Sequence, residues 1–307
     1  MKNYAILFPG QGSQYVGMGA DVLAERADLL GDTADAVLGW SLRGVVAEGP
    51  DEELTRTDRA QPALYAIAYA LWDVLSDSLP GPPAATAGHS LGEYTALAAS
   101  GALDFSDGLA LVVERGAAMA EAAALDPSSM AALMGVDAKG AELIAARRRE
   151  EGGKLWVANL NAPNQIVLAG GTADIDWLVA NAEQFGARRA IPLNVAGAFH
   201  SPYMAPAAER LSGALEAATF AESDFPVYAN VTARPMSNPP TQLAQQLTEP
   251  VRFSESIEHM AADGVDAFIH VGPGNVTAVL ARRSAADAET YTVSEIEDVV
   301  GAVAFVE

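Results

Sequence analysis

The sequence predicts an α/β protein: a large unit around a mostly parallel sheet, interrupted by a smaller unit with its own strands and helices. Three observations carry that prediction. Short apolar runs, among them Tyr4 to Phe8 and Ala267 to Val271, have the length of buried strands and alternate with amphipathic helical patterns. The segment Gly88-His89-Ser90-Leu91-Gly92 lies between a short small-residue stretch and a helical one, a strand-to-helix turn with a serine at its tip. Between residues 127 and 196 the order becomes β-α-β-β-α-β, which is self-contained and unlike what flanks it.

Taken in order, Tyr4 to Phe8 reads as a strand ended by Pro9-Gly10, and a glycine-rich loop follows. From Ala60 to Leu79 the residues Leu64, Ile67, Ala68, Leu71 and Leu75 recur at helical spacing until Pro80, Pro82 and Pro83 stop the pattern. Ala84 to Gly88 is short and small, and Leu91 to Gly101 is helical, with Glu93 in its first turn and a glycine at its end. Gly108 to Ala124 repeats the helical pattern and puts Arg115 on its less apolar side.

The inserted unit has strand-like stretches at Met130 to Val136, Leu155 to Leu160, Gln165 to Ala169 and Arg189 to Val195, with helices at Gly140 to Glu151 and Asp174 to Phe185. That order is ferredoxin-like, two split βαβ halves. Residues 127–196 are thus expected as a small domain within a hydrolase-like large domain of residues 1–126 and 197–307. Phe225 to Asn230 and Ala267 to Val271 supply later strands of the large domain, with a helix around Ser254 to Asp263.

Composition narrows the function. The chain of 307 residues is half apolar, enough for a sizeable core, and its 19% charged content with no low-complexity tract argues against disorder. Forty acidic against 18 basic residues give a net charge of −22, which repels nucleic acid and anionic membranes. With no cysteine there is no disulfide, thiolate metal site or thiol nucleophile. The apolar run before Pro9 is too short for a signal peptide or membrane helix, so a cytoplasmic protein is expected.

Gly88 to Gly92 fits the G-x-S-x-G nucleophile elbow, in which glycines let a strand turn sharply into a helix and expose the hydroxyl at the helix N-terminus. A serine hydroxyl needs a base, and the chain has four histidines. His89 adjoins the serine in an extended stretch that directs its side chain elsewhere, as a packing or orienting residue. His259 lies in a surface helical pattern, and His270 lies in an apolar strand. His200, in the loop Gly197-Ala198-Phe199-His200-Ser201-Pro202 after the last strand of the small unit, is the best base available; a cap ahead of a helix begun at Pro202 is its alternative role.

Five segments, GQGSQ at 10–14, GHSLGEY at 88–94, ERGAAM at 114–119, GAFHS at 197–201 and GPGNV at 272–276, occur in an order that resembles the malonyl-CoA:acyl-carrier-protein transacylase family. The resemblance implies Ser90 and His200 as the catalytic pair and the backbone N–H groups of Leu91 and Gln11 as the oxyanion hole. It also implies Arg115 as the residue that grips the acyl carboxylate and His89 as a neighbour of the substrate. Phe199, as in malonyl-selective relatives, should crowd a substituent on the α-carbon. The family's histidine is oriented by a backbone carbonyl near a P-V-Q-W stretch, here Pro250-Val251-Arg252-Phe253, so the backbone of Arg252 is expected in that role.

The implied reaction is ping-pong transfer of a malonyl or related carboxylated acyl group from CoA, through a Ser90 ester, to the phosphopantetheine thiol of an acyl carrier protein. No metal or other cofactor is required. The expected partners are acyl-CoA and a free-standing or polyketide-synthase carrier protein, with the chain itself a monomer. Housekeeping fatty-acid enzymes and polyketide acyltransferases share all these motifs. An acyl hydrolase acting on carrier proteins, a transacylase for a different acyl unit and a non-catalytic scaffold are the competing readings; Arg115 argues against the first and the intact set of site residues against the last. Because a carrier protein is normally acidic, the basic groups Arg147-Arg148-Arg149, Arg188-Arg189 and Arg282-Arg283 are candidates for docking it.

Overall fold

The computed structural model describes residues 1–307. Its strands form two sheets: β1 (Tyr4–Phe8), β2 (Ala85–Gly88), β3 (Ser128–Met134), β4 (Leu155–Ala162), β5 (Gln165–Gly171), β6 (Arg189–Pro192), β7 (Val227–Ala229), β8 (Arg234–Pro235), β9 (Ala267–Val271) and β10 (Glu289–Val293). The six-stranded sheet has the order β10-β9-β1-β2-β7-β8. It is parallel throughout except at its β7–β8 edge. The four-stranded sheet has the order β4-β5-β3-β6, with every pair antiparallel.

Residues of β1 alternate between two cores. Tyr4, Ile6 and Phe8 enter the largest hydrophobic cluster, and Ala5 and Leu7 a second cluster on the opposite face. A central parallel strand is covered by helices on both faces and therefore reads as a continuous apolar run. The helices Thr57–Ser76 and Phe105–Leu125 pack against each other on the first face. The helix Phe253–Ala262 lies on the second through Phe253, Ile257 and Met260.

The small sheet carries the helices Ala138–Glu150 and Thr172–Asn181 on one face, over a core that includes Leu133, Ile144, Leu168 and Leu178. Its other face donates Met130, Val167 and Ala169 to the main core. Strand β4 is also stitched to the large sheet's side: Val251 N–H donates to Ala158 O at 2.9 Å, and Leu160 N–H donates to Val251 O at 2.8 Å. The cleft between the two sheets is held from both sides.

Some elements differ from the sequence expectation. The first long helix begins at Thr57, three residues before the apolar periodicity does, because its first turn carries the polar residues Thr57, Asp58 and Arg59 and so shows no apolar stripe. The last strand of the small unit ends at Pro192, and Leu193 to Val195 instead line the cleft. Strand β10 and the helices Ala205–Ala217, Val276–Ser284 and Asp298–Val306 add to the expected elements. No helix is long and apolar enough to cross a membrane.

Candidate active site

Ser90 stands at the tip of the β2-to-helix turn with a backbone φ of 53°. The left-handed region costs a non-glycine residue on the order of 1–3 kcal/mol, so neighbours must enforce it. The flanking glycines show why the turn needs them. A Cβ at Gly88 would lie 1.8 Å from the carbonyl carbon of Gly92, and one at Gly92 would lie 2.4 Å from Phe8 O. Asn230, just after β7, clamps the turn: its Oδ1 accepts from Ser90 N–H at 2.8 Å and its Nδ2 donates to Gly88 O at 2.7 Å.

His200 also has a left-handed backbone, φ 56°, and is only 4% exposed. Its Nε2 lies 2.8 Å from Ser90 Oγ, and its Nδ1 lies 2.7 Å from the backbone oxygen of Gln246. A carbonyl only accepts, so Nδ1 carries the proton and Nε2 presents a lone pair to the serine hydroxyl. Burial, and next the positive charge of Arg115, lower the imidazole pKa to about 3, against the partial support of the Gln246 carbonyl. His200 is therefore a neutral base across the physiological range.

The carbonyl that orients His200 corrects the expectation for Arg252. Gln246 is the last residue of the helix Pro239–Gln246, where carbonyls have no intrahelical donor left and are free to accept from a side chain. The Arg252 carbonyl is already taken at the start of the next helix, by Ser256 N–H and Ser256 Oγ at 3.1 Å each. The Arg252 side chain turns outward to Glu255.

Arg115, placed by periodicity on the less apolar side of its helix, is 0% exposed. That side faces the polar floor of the cleft. Its Nη1 donates to Gln61 Oε1 at 2.5 Å, and its Nη2 donates to Gln246 Oε1 at 2.8 Å and to Ser90 Oγ at 3.0 Å. Glu114 and Glu121, the acids beside it on the helix, pair with Arg210 instead. Arg115 is thus a desolvated cation whose hydrogen-bond partners are all neutral, and its Nε has no partner. Burial pulls its pKa down.

Gln11 sits in the loop after β1. A Cβ at the preceding Gly10 would lie 2.5 Å from His89 O, which shows how closely this loop abuts the elbow. The backbone N–H groups of Gln11 and Leu91 make no hydrogen bond, and Ser90 N–H is consumed by Asn230. Gln11 and Leu91, which carry these two amides, both line the cavity that Ser90 borders. The His89 ring turns from the serine: its Nε2 lies 2.7 Å from Asn161 Oδ1 on β4, and the ring packs on Phe253 at 5.3 Å. Burial lowers its pKa.

Gln11, His89, Ser90, Leu91, Arg115, Phe199 and His200 therefore border one cavity of about 240 Å³ between the sheets, and Arg252 does not. Sequence reasoning missed Gln61, Glu93, Asn161, Asn230 and Gln246. The one local signal among them is Glu93, an acid inside the otherwise apolar helix Gly92–Ala99. His270 is a satisfied core residue, bonded to Thr277 and Gly272, and His259 is half-buried against Ala233 O. No cluster of three or more acidic or histidine side chains is arranged to hold a metal ion.

A parallel sheet with a part-buried serine at its switch into a helix, a neutral histidine on that serine and two unbonded backbone amides on residues of the same cavity define an enzyme of the acyl-transfer class. Residues 6–301 match the family described as "Acyl transferase domain". The chain is 42% identical over 304 residues to the malonyl CoA-acyl carrier protein transacylase of Bacillus subtilis, covering 97% of this chain and 96% of that protein. It is 38% identical to the Escherichia coli K12 protein of the same name, covering 97% of each.

Among solved structures, the malonyl CoA-acyl carrier protein transacylase of Coxiella burnetii superposes with a TM-score of 0.94 at 32% identity, over 99% of this chain and 98% of that one. A malonyl-transacylase solved in complex with its type II PKS acyl-carrier protein gives 0.93 at 33%, over 99% of each. The chain belongs to the malonyl-CoA:acyl-carrier-protein transacylase family.

Proposed function

We propose that this enzyme moves a malonyl group from CoA to the phosphopantetheine thiol of an acyl carrier protein through an ester on Ser90. The observation that carries the reading is the position of Arg115, a buried cation that no carboxylate hydrogen-bonds, 3.0 Å from the nucleophile oxygen. A charge removed from water without a counter-ion is costly, and a short acyl group with a terminal carboxylate supplies the missing partner while its carbonyl reaches Ser90. The planar guanidinium fork suits a carboxylate.

In the first half-reaction Ser90 Oγ gives its proton to His200 Nε2 and bonds to the thioester carbon. The carbonyl oxygen takes up negative charge toward the Gln11 and Leu91 amides. As the intermediate collapses, the carbon–sulfur bond to CoA breaks and His200 returns the proton to the departing sulfur. In the second, the carrier thiol gives its proton to His200, sulfur bonds to the acyl carbon, and the Ser90 oxygen leaves and regains a proton. The Gln246 carbonyl, at a helix C-terminus, stabilises the transient imidazolium both times. Phe199, 6% exposed beside His200, narrows the space at the α-carbon.

The charge distribution supports a docking side. Arg147, Arg148 and Arg149 are all tied to carboxylates, those of Glu151, Asp174 and Glu142. Arg188 and Arg283 are exposed, form no ion pair, and line a surface depression that shares Gln165 with the active-site cavity. On a chain of net charge −22, they are the cations best placed to receive an acidic carrier protein at the mouth of the site. We read the enzyme as a cytoplasmic monomer.

The test is intact-mass spectrometry after incubation with malonyl-CoA, methylmalonyl-CoA or acetyl-CoA, followed by holo carrier protein. A malonyl adduct that Ser90→Ala abolishes, and that the carrier discharges, is the expected result. Free malonate in place of transfer would replace this reading with the hydrolase.

A further inference from the structure

Behind the dyad lies a carboxylate that the reaction does not use. Glu93, second residue of the helix that follows the elbow, is 0% exposed, as are Asn230 and Gln246. Glu93 Oε1 accepts from Asn230 N–H at 2.8 Å, and Glu93 Oε2 accepts from Gln246 Nε2. These two partners come from segments far along the chain, and between them they hold the elbow's backbone. Asn230 takes Ser90 N–H and Gly88 O. Gln246 Nε2 also donates to Ser90 O at 3.0 Å. Gln246 reaches the other two site residues as well: its Oε1 receives Arg115, and its backbone oxygen receives His200 Nδ1.

We propose that Glu93 is the positioning residue of the dyad, the one side chain that anchors both the clamp on Ser90 and the helix end that orients His200. Three consequences follow from the geometry. Ser90 and His200 both occupy left-handed backbone conformations, which persist only where the surroundings over-determine them, and the Glu93 bonds tie those surroundings together. By fixing Asn230, Glu93 commits Ser90 N–H to the clamp and leaves the Leu91 and Gln11 amides as the free donors. By fixing the Gln246 amide with its nitrogen toward Glu93, it turns Gln246 Oε1 toward Arg115. Burial raises the Glu93 pKa to about 8, opposed by the Asn230 and Gln246 donors and by the Arg115 charge. Both its oxygens meet donors, and neither meets an acceptor.

The inference rests on the Ser90–His200 reading, and the experiment separates the two. Glu93→Gln retains size and an acceptor for Asn230 N–H, but its new NH₂ group meets the NH₂ of Gln246. Gln246 must then turn over, withdrawing its donor from Ser90 O and presenting NH₂ to Arg115. The rate of Ser90 acylation by malonyl-CoA is expected to fall on the order of tenfold to a hundredfold, with KM changed by less than about threefold. Glu93→Asp, which keeps the carboxyl but is too short to reach both anchors, serves if Glu93→Gln does not fold, and should show the same loss in kcat.

Wild-type rates in a folded Glu93→Gln or Glu93→Asp variant would overturn the proposal. If wild type forms no adduct, or Ser90→Ala keeps it, the underlying reading fails instead, whatever Glu93 does.

Discussion

Lowering the pH from 7 to 5 separates the buried His200 from an ordinary imidazole. An imidazole of pKa about 6.5 is about three-quarters neutral at pH 7 and about 3% neutral at pH 5, so a rate that needs the neutral base would fall about 25-fold over that interval. Burial and Arg115 lower His200 to about 3. At pH 5 about 99% of it is still neutral, and the rate of Ser90 acylation should be nearly flat.

The same burial acts on stability with a definite sign. The folded chain excludes a proton that the unfolded chain takes up below about pH 6.5, so stability is full above that value and is lost as the pH falls toward the folded pKa. Between pH 7 and 5 the cost is about 2 kcal/mol for His200, and about as much for His270, which burial lowers to about 4. The assay is therefore single-turnover acylation by malonyl-CoA, quenched and read by intact mass, with circular dichroism of the same samples. A rate that titrates near pH 6.5 while the protein remains folded would refute the argument for a desolvated base.

Arg115→Met removes two charge-assisted hydrogen bonds to the acyl carboxylate, each worth about 1.5–3 kcal/mol. Malonyl-CoA acylation should fall at least about a hundredfold while acetyl-CoA acylation falls far less; equal losses on both donors would mean that Arg115 supports the fold rather than the carboxylate. Arg252→Ala should leave kcat within about twofold, because its side chain makes a part-exposed pair with Glu255 worth at most about 1 kcal/mol. Steady-state kinetics on the purified variant decides this. Arg188→Glu combined with Arg283→Glu should raise KM for the holo carrier protein about tenfold at low salt and leave acylation by malonyl-CoA unchanged. An unchanged KM would move docking to another face.

Much of the site was legible because its chemistry is written locally. The elbow is a steric statement about close backbone approach within five residues, and Gly88 and Gly92 carry it without any knowledge of the fold. With four histidines and no cysteine, the base could be narrowed by elimination, and the strand order of the inserted unit followed from alternating periodicities. The helical pattern around Arg115 located it on the side away from the apolar stripe. That less apolar side faces Ser90 and Gln246.

What sequence did not carry is every contact made across the chain by a side chain of ordinary type. In the sequence Asn230 only closes a strand-like run and Gln246 lies in no expected element, and residues of both types are mostly exposed. The carbonyl that orients His200 has no identity in sequence at all, since every residue has one. Only packing decides which is left unpaired at the right place, which is why that role falls to Gln246 and not to Arg252. Local sterics and residue chemistry thus pointed to Ser90 as the candidate nucleophile and narrowed the candidate base, and the family motifs marked Arg115 as the candidate selector, all from the sequence alone. The tertiary structure decided how they are held, because a hydrogen bond between residues more than a hundred positions apart depends on how two sheets meet.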